Sequence, residues 1–334
     1  MTTGPASINA GGRQRGIWFR MKRAFVFPGQ GSQAVGMGSA LAAAFTAARQ
    51  VFEEVDDALS QNLSQLMFEG PESELTLTEN AQPALMAASL AVIRVLEGEG
   101  GFSFTRNVAF VAGHSLGEYS ALAAAGALTI GDGAHLLRLR GQAMQQAVPV
   151  GEGAMAALLG LDVEQGQAVA AEAAGRDEVC AVANDNAPGQ VVVSGHRRAV
   201  ERAMAIARGH GARRSIALPV SAPFHSPLMA PAAEVMAEAL RRVALRPPAV
   251  PLVANVSATA TRDPARIKRG LVEQVTAMVR WRESMLVLKQ DGVDEVIEAG
   301  AGRVLSGLVK RIDPDLVARS IGTPAEVESL IKEL

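Results

Sequence analysis

Hydrophobic and polar positions follow two alternating rhythms along the chain. Short apolar runs closed by glycine or proline read as buried strands, and longer stretches with apolar residues three and four apart read as amphipathic helices. In "MKRAFVFPGQGSQ" the fold proper begins at Met21, with residues 23–27 as a strand ended by Pro28-Gly29. Helical spacing covers about 38–60 and 82–98, and an apolar strand at 107–112 then runs into a small-residue helix. Strands alternating with helices predict an α/β protein with a mainly parallel sheet.

Between about 150 and 220 the rhythm tightens. "GAMAALLGL" reads as strand, 162–174 as helix, "VCAVAN" and "GQVVVSG" as strands, 196–210 as helix and "RRSIALPV" as strand. The order β-α-β-β-α-β is that of a ferredoxin-like unit. We therefore expect a small subdomain over 150–220, inserted into a larger α/β body formed by 21–149 and 221–334. In the returning segment, 231–243, 281–290 and 303–311 read as helices, and "VPLVAN" and "VDEVIEAG" as strands. Residues 1–20 carry arginines, no acids and no apolar periodicity, which predicts a disordered extension; the apolar core of a signal peptide is missing.

Composition narrows the class. Hydrophobic residues make up 49% of the 334 positions but aromatics only 4%, so Ala, Val, Leu and Met must build the interior. Thirty-two basic against 34 acidic side chains leave a net charge of −2, which argues against a surface that coats nucleic acid. Cys180 is the sole cysteine, so neither an intrachain disulfide nor a cysteine-based metal site can form, and the cytoplasm is the expected compartment. No apolar run is long enough to span a bilayer. No metal or organic cofactor is expected.

The candidate chemistry centres on Gly113-His114-Ser115-Leu116-Gly117, which fits G-x-S-x-G at a strand-to-helix turn. Such a turn needs residues without bulky side chains and holds the serine hydroxyl above the sheet at a helix N-terminus, where developing negative charge is favoured. The plain alternative is a tight turn with a capping serine. A serine nucleophile needs a base, and histidine is the usual one. His114 should diverge from its neighbour, His135 lies on a helix, and His196 and His210 flank a helix of the small subdomain. His225 stands in the irregular loop "SAPFHSPLM" between Pro223 and Pro227, and is either the base or a structural loop histidine. No acid is evident to orient it, so a backbone carbonyl could hold its Nδ1–H.

The loop "FPGQGSQ" offers backbone N–H groups, and those of Gln30 and Leu116 are candidates for an oxyanion hole. Gly29 to Ala34 also satisfies G-x-G-x-x-A, but Glu53 and Glu54 lie in a helical pattern, where the acid of a dinucleotide-binding unit would end a second strand. In the helix after residue 130, Arg140 shares a face with Leu136, Ala143, Met144 and Ala147. An arginine in an apolar stripe must be paired, with either a protein carboxylate or a ligand carboxylate.

Taken in order, "FPGQGSQ", "GHSLGEYSAL", "LRLRGQAMQ", "NAPGQVVVSG", "APFHSPLM" and "VLSGLVKRI" closely resemble the malonyl-CoA:acyl-carrier-protein transacylases from Met21 onward. The resemblance implies an α/β-hydrolase-like body with a ferredoxin-like insertion. It also implies ping-pong transfer of a malonyl group from malonyl-CoA to holo acyl carrier protein. It assigns Ser115 as nucleophile, His225 as base, Gln30 and Leu116 as oxyanion donors and Arg140 as the malonyl carboxylate site. The carbonyl that orients the histidine maps onto Arg280, before Trp281. Phe224 resembles the Phe-His pair of malonyl-selective polyketide acyltransferases, where its bulk disfavours an α-methyl branch. Arg197, Arg198, Arg213, Arg214, Lys310 and Arg311 are candidates to meet an acidic carrier protein. A serine acyl hydrolase or thioesterase, and a dinucleotide-binding module, are the alternatives.

Overall fold

The computed structural model describes Met1, residues 21–220 and residues 222–334, so the extension expected over 1–20 lies, Met1 apart, outside the described residues. Ten strands occur among them. They are β1 (Arg23–Phe27), β2 (Phe110–Gly113), β3 (Gly153–Leu159), β4 (Cys180–Ala187), β5 (Gln190–His196), β6 (Arg214–Ala217), β7 (Leu252–Val253), β8 (Ala260–Thr261), β9 (Glu295–Ala299) and β10 (Val317–Ile321). Six form one sheet in the order β10-β9-β1-β2-β7-β8, parallel except for β8, which turns back antiparallel on β7. Every residue of β1 and β9 is buried. Helices cover both faces of the parallel sheet, and the charged residues in these strands are partnered, Arg23 with Glu295 at 2.8 Å and Glu298 by the N–H groups of Leu305 and Ser306.

One face packs on the long helix Thr78–Gly100, itself wedged between Thr46–Leu59 and Ile130–Gln146. The other packs on Trp281, Met285, Leu288, Leu305 and Val309 from the helices Trp281–Gln290 and Val304–Ile312. No helix among the described residues is long and apolar enough to cross a membrane.

The remaining strands form a separate antiparallel sheet in the order β4-β5-β3-β6, with the helix Val163–Ala173 between β3 and β4 and Arg197–Ile206 between β5 and β6. Side chains alternate across it with the period of two that a strand imposes. Ala156, Leu158, Val191 and Val193 pack on its own helices. Met155, Ala157 and Val192 face the larger sheet and its helices. β4 is stitched to the segment before Trp281: Asp185 N–H donates to Val279 O at 3.0 Å, Val279 N–H to Ala183 O at 2.9 Å, and Arg282 pairs with the buried Asp185 at 2.9 Å. The small sheet is thereby held over the C-terminal ends of β1 and β2, where open α/β sheets bind ligands.

The stretch expected as one helix over 38–60 is two, Ser39–Ala44 and Thr46–Leu59, because Phe45 adopts an extended conformation (φ −130°, ψ 124°) and packs against the core. β8, β10 and the helices Leu63–Glu69, Pro264–Glu273 and Pro324–Ile331 are additions to the predicted elements.

Candidate active site

β2 ends at Gly113 and the next helix begins at Gly117, so the chain reverses within three residues. A Cβ on Gly113 would lie 1.9 Å from the carbonyl carbon and oxygen of Gly117, and one on Gly117 would lie 2.2 Å from Phe27 O of β1. Both positions therefore demand glycine. Between them Ser115 is held at φ +54°, a left-handed conformation that a serine adopts only when its surroundings enforce it. Asn255, just past β7, supplies that enforcement. Its Oδ1 accepts from Ser115 N–H at 2.8 Å, and its Nδ2 donates to Gly113 O at 2.7 Å.

His225 also sits at positive φ, +56°, in the loop between β6 and the helix Ala230–Arg242. Its Nε2 is 2.8 Å from Ser115 Oγ and its Nδ1 is 2.8 Å from the main-chain oxygen of Gln274. A carbonyl can only accept, so Nδ1 carries the proton and Nε2 presents a lone pair to the hydroxyl. Burial first, and the charge of Arg140 second, hold the imidazole down to about 3, which keeps it neutral and able to receive a proton.

The orienting carbonyl is thus that of Gln274, a correction to the expectation for Arg280. Gln274 caps the C-terminus of the helix Pro264–Glu273, where the last carbonyls have no intrahelical partner. Arg280 O, in contrast, starts the next helix and is occupied by Ser284 N–H (3.0 Å) and Ser284 Oγ (2.8 Å).

Arg140 is 1% exposed. Its Nη1 donates to Gln82 Oε1 at 2.9 Å, and its Nη2 to Gln274 Oε1 at 2.8 Å and Ser115 Oγ at 3.0 Å. The guanidinium lies over the ring of Tyr119, 5.8 Å from its centroid, and Nε has no hydrogen-bond partner among the described residues. No carboxylate among them forms an ion pair with Arg140. Of the two pairings open to this cation from sequence, the direct one within the protein is not made.

Ser115, His225 and Arg140 open onto a cleft of about 650 Å³ between the two sheets, with Phe224, Met144, Met155 and Val192 among its apolar walls. Gln30 and Leu116 line it beside Ser115, and neither main-chain N–H has an acceptor among the described residues. Of the other four histidines, His135 lies on the helix Ile130–Gln146 outside the cleft lining and three are engaged elsewhere. His114 Nε2 meets Asn186 Oδ1 at 2.9 Å, His196 Nδ1 accepts from Val179 N–H at 2.8 Å, and His210 meets Glu172 at 2.8 Å. Glu53 and Glu54 lie in the helix Thr46–Leu59 and close no second strand. No cluster of three or more His, Cys, Asp or Glu among the described residues is placed to hold a metal ion.

Sequence reading missed four buried polar residues that frame the site: Gln82, Glu118, Asn255 and Gln274. Glu118 Oε1 accepts from Asn255 N–H at 2.9 Å, and its Oε2 accepts from Gln274 Nε2. Glu118 and Asn255 carried a signal, since each is a polar side chain within a mainly apolar stretch and must therefore be partnered, whereas Gln82 and Gln274 lie among other polar residues.

The basic candidates separate into two groups. Arg311 donates to Gln190, a cleft residue, and its helix contributes Val304, Leu305 and Leu308 to the cleft wall. Gln190 pairs in register with Leu159, and Leu159 with Arg214, so Arg213 and Arg214 share that end of the small sheet with Lys310 and Arg311. Arg197 and Arg198 follow His196, which pairs with Gly153 at the opposite end.

Residues 24–312 match the acyl transferase domain family. The malonyl CoA-acyl carrier protein transacylase of Bacillus subtilis (strain 168) is 47% identical over 313 residues, which cover 94% of this chain and 97% of its own. The crystal structure of the acyl-carrier-protein-S-malonyltransferase from Bartonella henselae has 54% identity and a TM-score of 0.91, over 94% of this chain and 99% of that one. A type II PKS acyl-carrier protein in complex with its malonyl-transacylase matches at 41% identity and a TM-score of 0.90, over 94% of this chain and 100% of the other. Similarity at this identity, over more than nine-tenths of the length of both partners, makes the chain a member of the malonyl CoA-acyl carrier protein transacylase family.

Proposed function

We propose that the chain moves a malonyl group from malonyl-CoA to the phosphopantetheine thiol of holo acyl carrier protein through a malonyl ester on Ser115. The observation that carries this reading is the convergence on one hydroxyl of a neutral imidazole at 2.8 Å and a guanidinium at 3.0 Å that forms no ion pair with a carboxylate among the described residues. The first pair supplies nucleophile and base. The guanidinium selects an acyl group that ends in a carboxylate, because a planar fork of donors binds such a group bidentately.

In the first half-reaction Ser115 Oγ attacks the thioester carbonyl while His225 Nε2 takes its proton. The carbonyl oxygen becomes an oxyanion facing the N–H groups of Gln30 and Leu116, the C–S bond breaks, and the imidazolium returns the proton to the CoA sulfur. The second half runs the same steps in reverse with the pantetheine thiol. Gln274 O keeps the imidazole in the required tautomer throughout. Phe224, buried beside the base, crowds the α-carbon of the acyl group and disfavours a methyl branch.

The finer architecture belongs to the same proposal: an α/β-hydrolase-like body, 21–149 and 221–334, carrying a ferredoxin-like subdomain, 150–220. The strand order β4-β5-β3-β6 with two helices on one face supports the second part. The group formed by Arg213, Arg214, Lys310 and Arg311 receives the acidic carrier, and the single buried cysteine fits a cytoplasmic enzyme. Initial rates measured while both substrates are varied test the scheme. Parallel double-reciprocal lines, with CoA released before any carrier is added, are expected; intersecting lines and no release without carrier would overturn the acyl-enzyme route.

A further inference from the structure

Glu118 lies under the elbow, 2% exposed, three residues after the nucleophile. The mechanism above does not use it. Both of its oxygens act as acceptors, Oε1 from Asn255 N–H and Oε2 from the side-chain amide of Gln274. That amide also donates to Ser115 O at 3.0 Å, and with its nitrogen committed to these oxygens its Oε1 must face Arg140, which it accepts at 2.8 Å. The main-chain oxygen of the same residue holds His225, and the side chain of Asn255 holds Ser115 N–H. One carboxylate thus anchors the two residues that orient nucleophile, base and cation. It is also the negative charge opposite Arg140, at one remove through Gln274, in a site where the cation has no direct counter-ion among the described residues.

We propose that Glu118 is the positioning residue of the acyl pocket: its carboxylate polarises the Gln274 amide toward Arg140 and is the counter-charge that an incoming malonyl carboxylate replaces. This inference rests on the malonyl transfer proposed above. When a second carboxylate reaches Arg140, the two negative charges compete for one cation, and the buried one is relieved by taking up a proton. Among the described residues, the titratable and charged groups that act on the network are Arg140 and Tyr119 directly, His225 through Arg140, and His114 through His225. Burial pushes Tyr119 up to about 12, and burial followed by Arg140 holds His225 down to about 3. Burial also lowers His114, whereas burial raises Glu118 to about 7, so Glu118 is the member of the group poised to change charge near neutrality.

The test has two arms. In the unmodified protein, mixing with malonyl-CoA in weak buffer containing a pH indicator, near pH 7, should take up a few tenths of a proton per acylated serine. Loading with acetyl-CoA, which brings no carboxylate, should take up none. In Glu118→Gln the new amide must place its NH₂ against one of two donors, which turns the Gln274 amide and withdraws the acceptor from Arg140. The malonyl-to-acetyl ratio of acylation rates should then fall about tenfold or more, and the proton uptake should vanish. Equal uptake with both thioesters, no uptake with malonyl-CoA, or an unchanged ratio in a folded Glu118→Gln protein would each overturn the role of Glu118. Failure of the unmodified protein to gain a malonyl group would instead overturn the proposed function itself.

Discussion

Replacing Arg140 by alanine separates recognition of the acyl group from the transfer chemistry. Among the described residues no other arginine or lysine lines the cleft, so there the variant offers a malonyl carboxylate no cation. Removing one partner of a desolvated, hydrogen-bonded charge pair costs about 2–5 kcal/mol. At about 1.4 kcal/mol per tenfold, this becomes a loss of about 30- to 4,000-fold in kcat/KM for malonyl-CoA. Acetyl-CoA places no charge there. For it the variant loses the 3.0 Å charge-assisted bond from Nη2 to Ser115 Oγ, worth about 1.5–3 kcal/mol, so its rate should change by about 150-fold at most in either direction, a loss that malonyl-CoA shares and that cancels in the ratio of the two. The substitution also strips the donors from the amide oxygens of Gln82 and Gln274, at about 1–3 kcal/mol for each buried orphan, so the melting temperature should fall. Rates are therefore compared well below the melting transition, as single-turnover CoA release from each thioester. A folded variant with an unchanged malonyl-to-acetyl ratio would refute the assignment of Arg140 as the carboxylate site.

His225→Ala should slow acylation by both thioesters about 100-fold or more, since a positioned base typically contributes 10²–10⁴; near-normal rates in a folded variant would return His225 to a structural role. The same histidine links stability to pH. Its folded value of about 3 lies below the ordinary 6.5, so the unfolded chain binds its proton first and stability is lost as pH falls through that window. Between pH 7 and 5 the unmodified protein should lose about 2 kcal/mol relative to His225→Ala in urea unfolding, and an unchanged difference would mean that the imidazole is protonated in the fold. Gly117→Ala places a Cβ 2.2 Å from Phe27 O, so it should cost about 3 kcal/mol or more and abolish acylation, and a stable, active variant would contradict the elbow geometry. Charge reversal at Arg214 and Arg311 should raise KM for the carrier and flatten its salt dependence while sparing transfer to free pantetheine, whereas reversal at Arg197 and Arg198 should do neither; the opposite pattern would move the docking surface to the other end of the small sheet.

Where function is carried by side chains in a local pattern, the sequence was readable. The glycines at 113 and 117 belong to a recognisable turn pattern, although only the clash at 113 lies within the turn while that at 117 is with Phe27 O of β1, and the β-α-β-β-α-β order was visible because each element has its own periodicity. Arg140 stood out because a cation interrupts an apolar stripe. The orienting carbonyl was misplaced because main-chain oxygens carry no sequence signature, and choosing Gln274 over Arg280 requires the path of the chain after Glu273. Glu118 lies on a helix and Asn255 in the turn after β7, so their pairing, like that of Gln82 with Arg140, exists only in the folded protein. Other omissions had signals that went unread. The helix Pro324–Ile331 opens on a capping box from Thr323 to Glu326, and Pro264–Glu273 opens on an Asp263 cap with proline at the first position.

The account stands on a covalent malonyl group at Ser115. Intact-protein mass measurement after mixing with malonyl-CoA, without carrier, reads it directly. The unmodified chain should gain the mass of one malonyl group with release of one CoA, the added mass should map to the peptide containing Ser115, and it should disappear when holo acyl carrier protein is supplied. Ser115→Ala should gain nothing. A malonyl mass on the Ser115→Ala protein, or none on the unmodified one, would contradict the account.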